Sequence, residues 1–517
     1  MATIDPDRIP VVAAWGQCLE RSALVRPTEL MAVAADQALA QVPALRDRLD
    51  RLSVVNVVGR VGPSPATELA RRLGIDPPVR EATTIGGNTP QWLVNRAAAQ
   101  IARGELRATL IAGAEALRSS RERRRLRAAG QVVADDGAHG AGAPDVPPDP
   151  VVGDDHPGPG PAELAANLIL PLYVYALFES VVAARAGHSA DQHRAAMGAL
   201  LAPFTEVAAR HPVAWFPEAR TATEIAEPAP DNRIVAQPYT KRMTAFLGSD
   251  QAAALVVCSL AEARRAGVAD GAVFVWAGAD AVDVRSPTAR PDPGSSPGIA
   301  AAGRALFGAA GDAAGSPVTI DDVGHLDLYS CFPSAVELGA AALGLATDDA
   351  RGLTVTGGLP YFGGPGNNYT SHAIATLCDR LRMAGSGGPP ELGLTTGLGW
   401  FVTKHALGLY GTEPPPGGFR PGDTAADQRA IDESAVPVVL DVGEPTTATV
   451  VAATAVPNDS NEIVAAPVIA RLETGEHVAA VPESDEVAAA VGATDPVSLV
   501  GTRVTVSGAP PRYRIAG

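Results

Sequence analysis

Apolar positions along the chain fall into short unbroken runs separated by stretches with apolar residues at helical spacing. Residues 11–15 (VVAAW) form one such run, and residues 28–41 follow with a helical pattern. Residues 53–58 (SVVNVV) read as a buried strand, 82–85 as a short strand ending at Gly86-Gly87, 90–102 as a long helix and 109–112 as another buried strand. Strand, helix, strand, helix in this rhythm predicts parallel βαβ units.

The rhythm stops at Arg118. Residues 118–127 (RSSRERRRLR) are strongly basic, and residues 134–161 are rich in Asp, Gly and Pro, the composition of an exposed, mobile loop. Helical patterns over 162–187 and 190–210 then suggest an insertion spanning about 119–245. From Phe246 the sequence LGSDQAAALVVCSLAEARRAG predicts a turn, a buried strand and an amphipathic helix.

Two stretches resemble each other. IGGNTPQWLVNRAAAQIARG, followed by ATLIAGAEA, has a counterpart in FGGPGNNYTSHAIATLCDRLRMAG, followed by ELGLTTGLG. Each is a double-glycine turn, a helix, a short turn and a buried strand ending in glycine. This is an internal duplication. It predicts two similar α/β halves, 1–275 (with the insertion) and 276–411. Residues 412–427 (TEPPPGGFRPGDTAAD) have linker composition. Beyond them, β-branched runs at 447–456, 462–472, 476–481 and 503–506, with a hairpin turn at Glu473-Thr474-Gly475, predict a small all-β barrel over 428–517.

Composition narrows the partners. The 517 residues carry a formal charge of −16, which argues against nucleic acid and against an anionic membrane surface. The apolar run 168–178 (LILPLYVYALF) is too short to span a bilayer and contains a proline, so a buried helix is expected. Four cysteines (Cys18, Cys258, Cys331, Cys378) without CxxC spacing suggest neither a disulfide framework nor a metal site. No basic-then-apolar leader opens the chain, so a cytoplasmic protein is expected. The glycines at 363–366 match neither GxxxxGK[ST] nor a clean GxGxxG, so no nucleotide cofactor is expected.

The duplication, the glycine turns and the insertion, with QPYTKRM (237–243), GSDQAAALVV (248–257), DLYSCF (327–332) and GGPGNNYTSHAIA (363–375), resemble the thiolase superfamily over roughly residues 1–411. The likeness is nearest to sterol-carrier-protein thiolases and thiolase-like proteins. It implies two βαβαβαββ halves in a five-layered α/β/α/β/α body, an acetyl-CoA acyltransferase activity, and a coenzyme A thioester held partly by the inserted loop domain. Matched residue by residue, the family's nucleophilic cysteine falls at Gly87, its activating histidine at Gly364 and its second cysteine at Thr395, two residues before Gly397. The loop that holds a catalytic water is Tyr329-Ser330-Cys331-Phe332. Thiolysis through an acyl-cysteine is therefore not expected.

Polar groups remain around both turns. Asn88 and Thr89 follow the first, where backbone N–H groups of 86–88 at a helix start suit an oxyanion. Asn367, Asn368, Tyr369 and His372 surround the second, and Tyr329 belongs to the neighbouring loop. His372 is either a general base or a structural histidine. Tyr329 is either a proton donor or acceptor, or packed core. Cys331 with His372 is a candidate nucleophile–base pair, and the asparagines are alternatively helix caps.

Three readings follow. One is a thioester-binding thiolase relative. Another is a retro-aldol CoA-ester lyase using Tyr329 and His372, with the C-terminal barrel as a fused counterpart of the OB-fold partner known in a related subgroup. The third is a non-catalytic CoA-ester binder or scaffold, its basic run meeting CoA phosphates or its barrel meeting a protein partner. Coenzyme A enters as substrate or ligand, no other cofactor is expected, and a homodimer and a monomer both fit.

Overall fold

The computed structural model describes residues 4–133, 147–384 and 390–515. The first half runs β1 (Pro10–Leu19), α1 (Pro27–Gln41), β2 (Arg51–Val54), α2 (Pro65–Leu73), β3 (Val79–Thr83), α3 (Thr89–Arg103) and β4 (Ala108–Ala116). An excursion follows through α4 (Leu117–Ala128), β5 (Val151–Val152), α5 (Pro161–Ala165), α6 (Pro171–Arg185), α7 (Ala190–Arg210), α8 (Ala222–Ala226), and the small ladder of β6 (Ile234–Ala236) and β7 (Tyr239–Thr240). The half closes with β8 (Asp250–Ser259) and α9 (Leu260–Arg265). The second half runs β9 (Val273–Val282), α10 (Pro297–Ala314), β10 (Val323–Asp327), α11 (Pro333–Leu343), α12 (Gly358–Tyr361), α13 (Tyr369–Ala384), β11 (Leu392–Gly399) and β12 (Lys404–Gly411).

Strand order makes the duplication visible. The first half reads β3-β2-β4-β8-β1 and the second β10-β11-β12-β9, joined where β1 meets β9. In each, the last strand of the half runs antiparallel between parallel neighbours. Strands β4, β8, β11 and β12 are buried at every position, which is why they read as continuous apolar or small-residue runs rather than alternating ones. Helices α3 and α13 each touch strands of both halves and each other, forming the central layer. Helices α1 and α10 cover the outer faces, giving the five-layered α/β body.

The structure corrects several local expectations. The single helix over 162–187 is broken in two: Asn167 adopts a left-handed φ of 57°, and Pro171 starts α6, because proline is accepted in a first helical turn and not inside. Part of the expected loop over 134–161 lies outside the described residues. Its remainder is ordered: β5 pairs with the edge strand β3, and the Asp149 carboxylate accepts from Ala66 N at 2.6 Å and from the Thr67 hydroxyl at the start of α2. The basic run folds as α4, with Arg118 paired to Asp250 at 3.0 Å and Arg123 buried and donating to Val25 O.

The segment of linker composition is a packed strap. Its β13 (Arg420–Pro421) pairs with β9, Phe419 is buried, and α14 (Ala425–Glu433) follows. The tail contains β14 (Thr446–Ala453), β15 (Val456–Pro457), β16 (Ile463–Ala465), β17 (Val468–Leu472), β18 (His477–Pro482), α15 (Asp485–Ala493), β19 (Arg503–Ser507) and β20 (Arg512–Ile515). Five of these strands close a barrel in the order β14-β17-β18-β20-β19. The hairpin turn falls where expected, with Gly475 at φ 105° between β17 and β18.

The barrel is docked on the body. Gln237 N donates to Ala455 O at 2.8 Å, Ala453 N to the Ser180 hydroxyl at 3.1 Å, and Ala190 N, at the start of α7, to the Asp495 carboxylate at 2.6 Å. No described helix is long and apolar enough to cross a membrane.

Candidate functional site

The two glycine turns face each other across the central layer, at the N-terminal ends of α3 and α13. At the first, Gly87 has no room for a side chain. A Cβ there would lie 2.1 Å from the Tyr329 hydroxyl and 2.6 Å from Leu398 O. The phenol thus occupies the space into which any side chain at position 87 would grow. Its hydroxyl has no hydrogen-bond partner among the described residues, while its backbone N–H donates to the Thr396 hydroxyl at 2.8 Å. Burial raises the phenol's pKa, so the neutral hydroxyl is the resident form. Tyr329 and Gly397 also line a cavity of only about 10 Å³.

Thr89 stays local: its N–H and hydroxyl both donate to Gly86 O, at 3.0 and 2.8 Å, closing the turn onto α3. Asn88 is nine-tenths buried, and its Oδ1 has no partner. It lines a cavity of about 170 Å³ with Thr84, Trp92, Asp280 and Lys404.

The second turn is committed to hydrogen bonds that tie the halves together. Asn367 accepts from Gly86 N at 3.1 Å and donates to Asn56 O and Oδ1, both at 3.0 Å. Asn368 donates to Gly113 O at 2.7 Å and accepts from the Ser371 hydroxyl. Thr370 donates to Gly87 O at 2.8 Å, and Gly364 N donates to Phe246 O at 2.9 Å. The asparagines are therefore bridges between halves rather than local caps.

Tyr369 is hydrogen-bonded to Thr356 Oγ1 at 2.6 Å and donates to Asp327 Oδ1 at 3.1 Å; its ring meets Tyr329 edge-on, centroids 5.5 Å apart. Asp327 is fully buried, and burial pushes its carboxyl up to about 6 although Val355 N and Thr354 donate to it. Sequence reasoning quoted Asp327 only as part of a motif, and its position on β10 beside the tyrosines is the signal that was there to use.

Three expected positions turn out otherwise. His372 is hydrogen-bonded to Gln17 and has no hydrogen bond to Tyr329. Its Nδ1 donates to Gln17 Oε1 at 2.8 Å, and Gln17 Nε2 donates to the Thr376 hydroxyl. Thr376 also accepts from His211 Nε2 at 2.9 Å, because Val213 N donates to His211 Nδ1 and so fixes that tautomer. Burial, with His211 nearby, lowers the His372 pKa to about 3, too low for a general base near neutrality.

Cys331 does not meet His372. Its thiol neighbours the Tyr175 hydroxyl, and burial pushes it up to about 12, so the thiolate is scarce. Thr395, at the expected second-cysteine position, donates to Gln91 Oε1 at 2.6 Å in a buried network that also includes Tyr410 and Asn95. A large cavity of about 980 Å³ lies along the other side of α13, bordered by Gln17, His211, Arg351 and Arg380, and contains none of the turn residues.

No family model matches the sequence, and no curated protein matches it. Solved structures do. A monomeric SCP2-thiolase-like protein type 1 from Mycobacterium smegmatis shares 28% identity at a TM-score of 0.81, over 99% of this chain and 100% of that one. The Ltp2-ChsH2(DUF35) aldolase is similar in fold over 78% of this chain and 98% of that one, at 18% identity and a TM-score of 0.56. An acetyl-CoA acetyltransferase from Syntrophomonas wolfei is similar in fold over 78% of this chain and 99% of that one, at 14% identity and a TM-score of 0.52. With its duplicated halves, helical insertion and terminal barrel, this chain is a thiolase-like protein.

Proposed function

We propose that the chain binds a coenzyme A thioester in a thiolase-type cleft and forms no acyl-cysteine intermediate with it. The observation that carries this is the Tyr329 hydroxyl set 2.1 Å from where a Cβ of residue 87 would be. A covalent thioester needs a side chain at that point. In this reading the ordinary acetyl-CoA acyltransferase route is not used; Asn367 takes the Gly86 N–H, which leaves the Gly87 and Asn88 N–H groups beside Tyr329 for a carbonyl oxygen.

A second reading, retro-aldol cleavage of a β-hydroxyacyl-CoA, is favoured by the unpartnered hydroxyl of Tyr329. In it the neutral Tyr329 hydroxyl hydrogen-bonds the substrate's reacting oxygen and His372 has no part. A pure binder or scaffold is the outcome if neither chemistry is found. The chain works as a monomer in this reading, because β5 covers the edge of β3 that an antiparallel partner would need. Four free cysteines fit a reducing compartment such as the cytoplasm.

Titration calorimetry with acetyl-CoA and CoA tests the core of this reading, and heat of binding at micromolar to millimolar ligand is expected. Acetoacetyl-CoA thiolysis should be absent, and robust turnover would sink the reading. For the lyase, Tyr329→Phe should abolish cleavage of a β-hydroxyacyl-CoA and leave CoA affinity unchanged.

A further inference from the structure

Between α6, α7 and α11 three side chains converge from distant parts of the sequence. Glu179 and His193 are 0% and 2% exposed and Glu337 is 14% exposed. His193 Nε2 lies 2.5 Å from Glu179 Oε1 and 3.8 Å from Glu337 Oε2. Their donor atoms all fall within 4.8 Å of one another, the one such set among the described residues. We propose that Glu179, His193 and Glu337 form a site for a zinc-class divalent cation that clips the inserted helices to the second half.

Charge is the first argument. One buried and one mostly buried carboxylate beside an imidazole need a proton or a positive charge, and an unpaired buried carboxylate is costly. A proton shared between the carboxylates would supply one charge. Glu337 Oε2 is buried, and a carboxyl hydrogen shared with Glu179 would be its one partner. A cation placed among the three donors contacts that oxygen directly.

The surroundings are those of a supported ligand set. His193 Nδ1 sits 3.4 Å from His188 Nδ1, so the ring can donate there while Nε2 faces the carboxylates. Glu179 Oε2 accepts from the Tyr239 hydroxyl at 2.6 Å, which fixes that carboxylate. Partners of this kind orient ligands and strengthen their basicity. One imidazole and two carboxylates suit zinc or manganese better than calcium. Tetrahedral zinc needs donors about 3.3 Å apart, so His193–Glu179 must open and Glu337 must close in slightly.

The position links the site to the rest of the molecule. Helix α11 begins directly after the Tyr329–Phe332 loop, and Tyr239 stacks on Phe332 at 5.6 Å. A cation here would hold α11, and with it the Tyr329 loop, against the insertion. No local spacing could reveal it, since the donors come from three separate helices.

The test uses the full chain, stripped with EDTA and dialysed against Zn²⁺. Mass-spectrometric metal analysis should find one zinc per chain, with a melting temperature several degrees above the stripped protein. Co²⁺ in place of zinc should give visible absorption bands from an imidazole–carboxylate site. His193→Gln and Glu337→Gln should lose both the stoichiometric metal and the bands while keeping the wild-type far-ultraviolet dichroism. Failure of the stripped wild type to take up Zn²⁺ overturns the proposal, and so does equal uptake by both variants, which would mean surface binding. A Glu337→Gln protein more stable than a wild type indifferent to metal would show a shared proton instead.

Discussion

The two glycine turns descend from one duplicated motif and now serve opposite ends. The turn at Gly87 is filled: a phenol from the second half packs onto its backbone and leaves no space for a side chain. The turn at Gly364 is spent on hydrogen bonds: Asn367, Asn368 and Thr370 donate to or accept from the first half's backbone. A Cβ at Gly364 would meet Phe246 O at 3.0 Å and Leu247 Cδ2 at 3.1 Å, a tight but adjustable fit. The same backbone motif thus tolerates change on one side and forbids it on the other, and what differs is the neighbour that each turn has acquired.

Exchanging the glycines should break the comparison most sharply. Gly87→Ala is expected to cost about 3 kcal/mol, because one of the two close groups is the Leu398 backbone oxygen, which cannot swing away. Gly364→Ala should cost about 1 kcal/mol, since its nearest backbone atom, Phe246 O, stands at 3.0 Å rather than 2.6 Å and Leu247 can shift. Urea denaturation of both variants checks the difference, and equal costs would mean that the Tyr329 packing is not what distinguishes the turns.

The asparagines offer the next test. Asn367→Ala strands the Gly86 N–H and the Asn56 oxygens, and should cost about 2–3 kcal/mol. Asn88→Ala removes an oxygen that has no partner and should cost less than about 1 kcal/mol. Reversal of that order in thermal or chemical melts would show that the bridge between halves is not Asn367.

The pH response sharpens the view of His372. Its folded pKa is about 3, below the ordinary 6.5, so the unfolded chain binds the extra proton between those values. Its contribution to stability is therefore full at pH 7 and falls as the pH drops. Between pH 7 and 5 wild type should lose about 2 kcal/mol more than His372→Gln. Parallel pH profiles would mean that the histidine is not buried neutral. The smallest effect concerns the phenol itself: Tyr329→Phe should change stability by less than about 0.5 kcal/mol, because the hydroxyl has no hydrogen bond to lose.

Much of this architecture was legible before any coordinates. The βαβ rhythm, the repeat of GG-turn, helix and strand, and the terminal barrel all appear as local hydrophobic periodicity, and the structure reproduces them. Where the reading failed, the cause was a contact from far along the chain. Residues 151–152 look like loop because nothing near them is apolar enough for a strand, yet the open edge of β3 recruits them. The strap around Phe419 has linker composition and still packs on β9.

For the site the split is sharper. The sequence alone determined that no cysteine stands at the first turn and no histidine at Gly364, since those are matters of identity. The family resemblance, not the pattern alone, implied that Tyr329, Asn88, Thr89 and the residues around Tyr369 share a pocket. Only the tertiary structure decided that Tyr329 fills the Gly87 turn, that His372 faces Gln17, and that Glu179, His193 and Glu337 meet. Side-chain direction at a helix start depends on which partner occupies each face, and those partners lie hundreds of residues away. Periodicity reports which face is buried, but it cannot report against what.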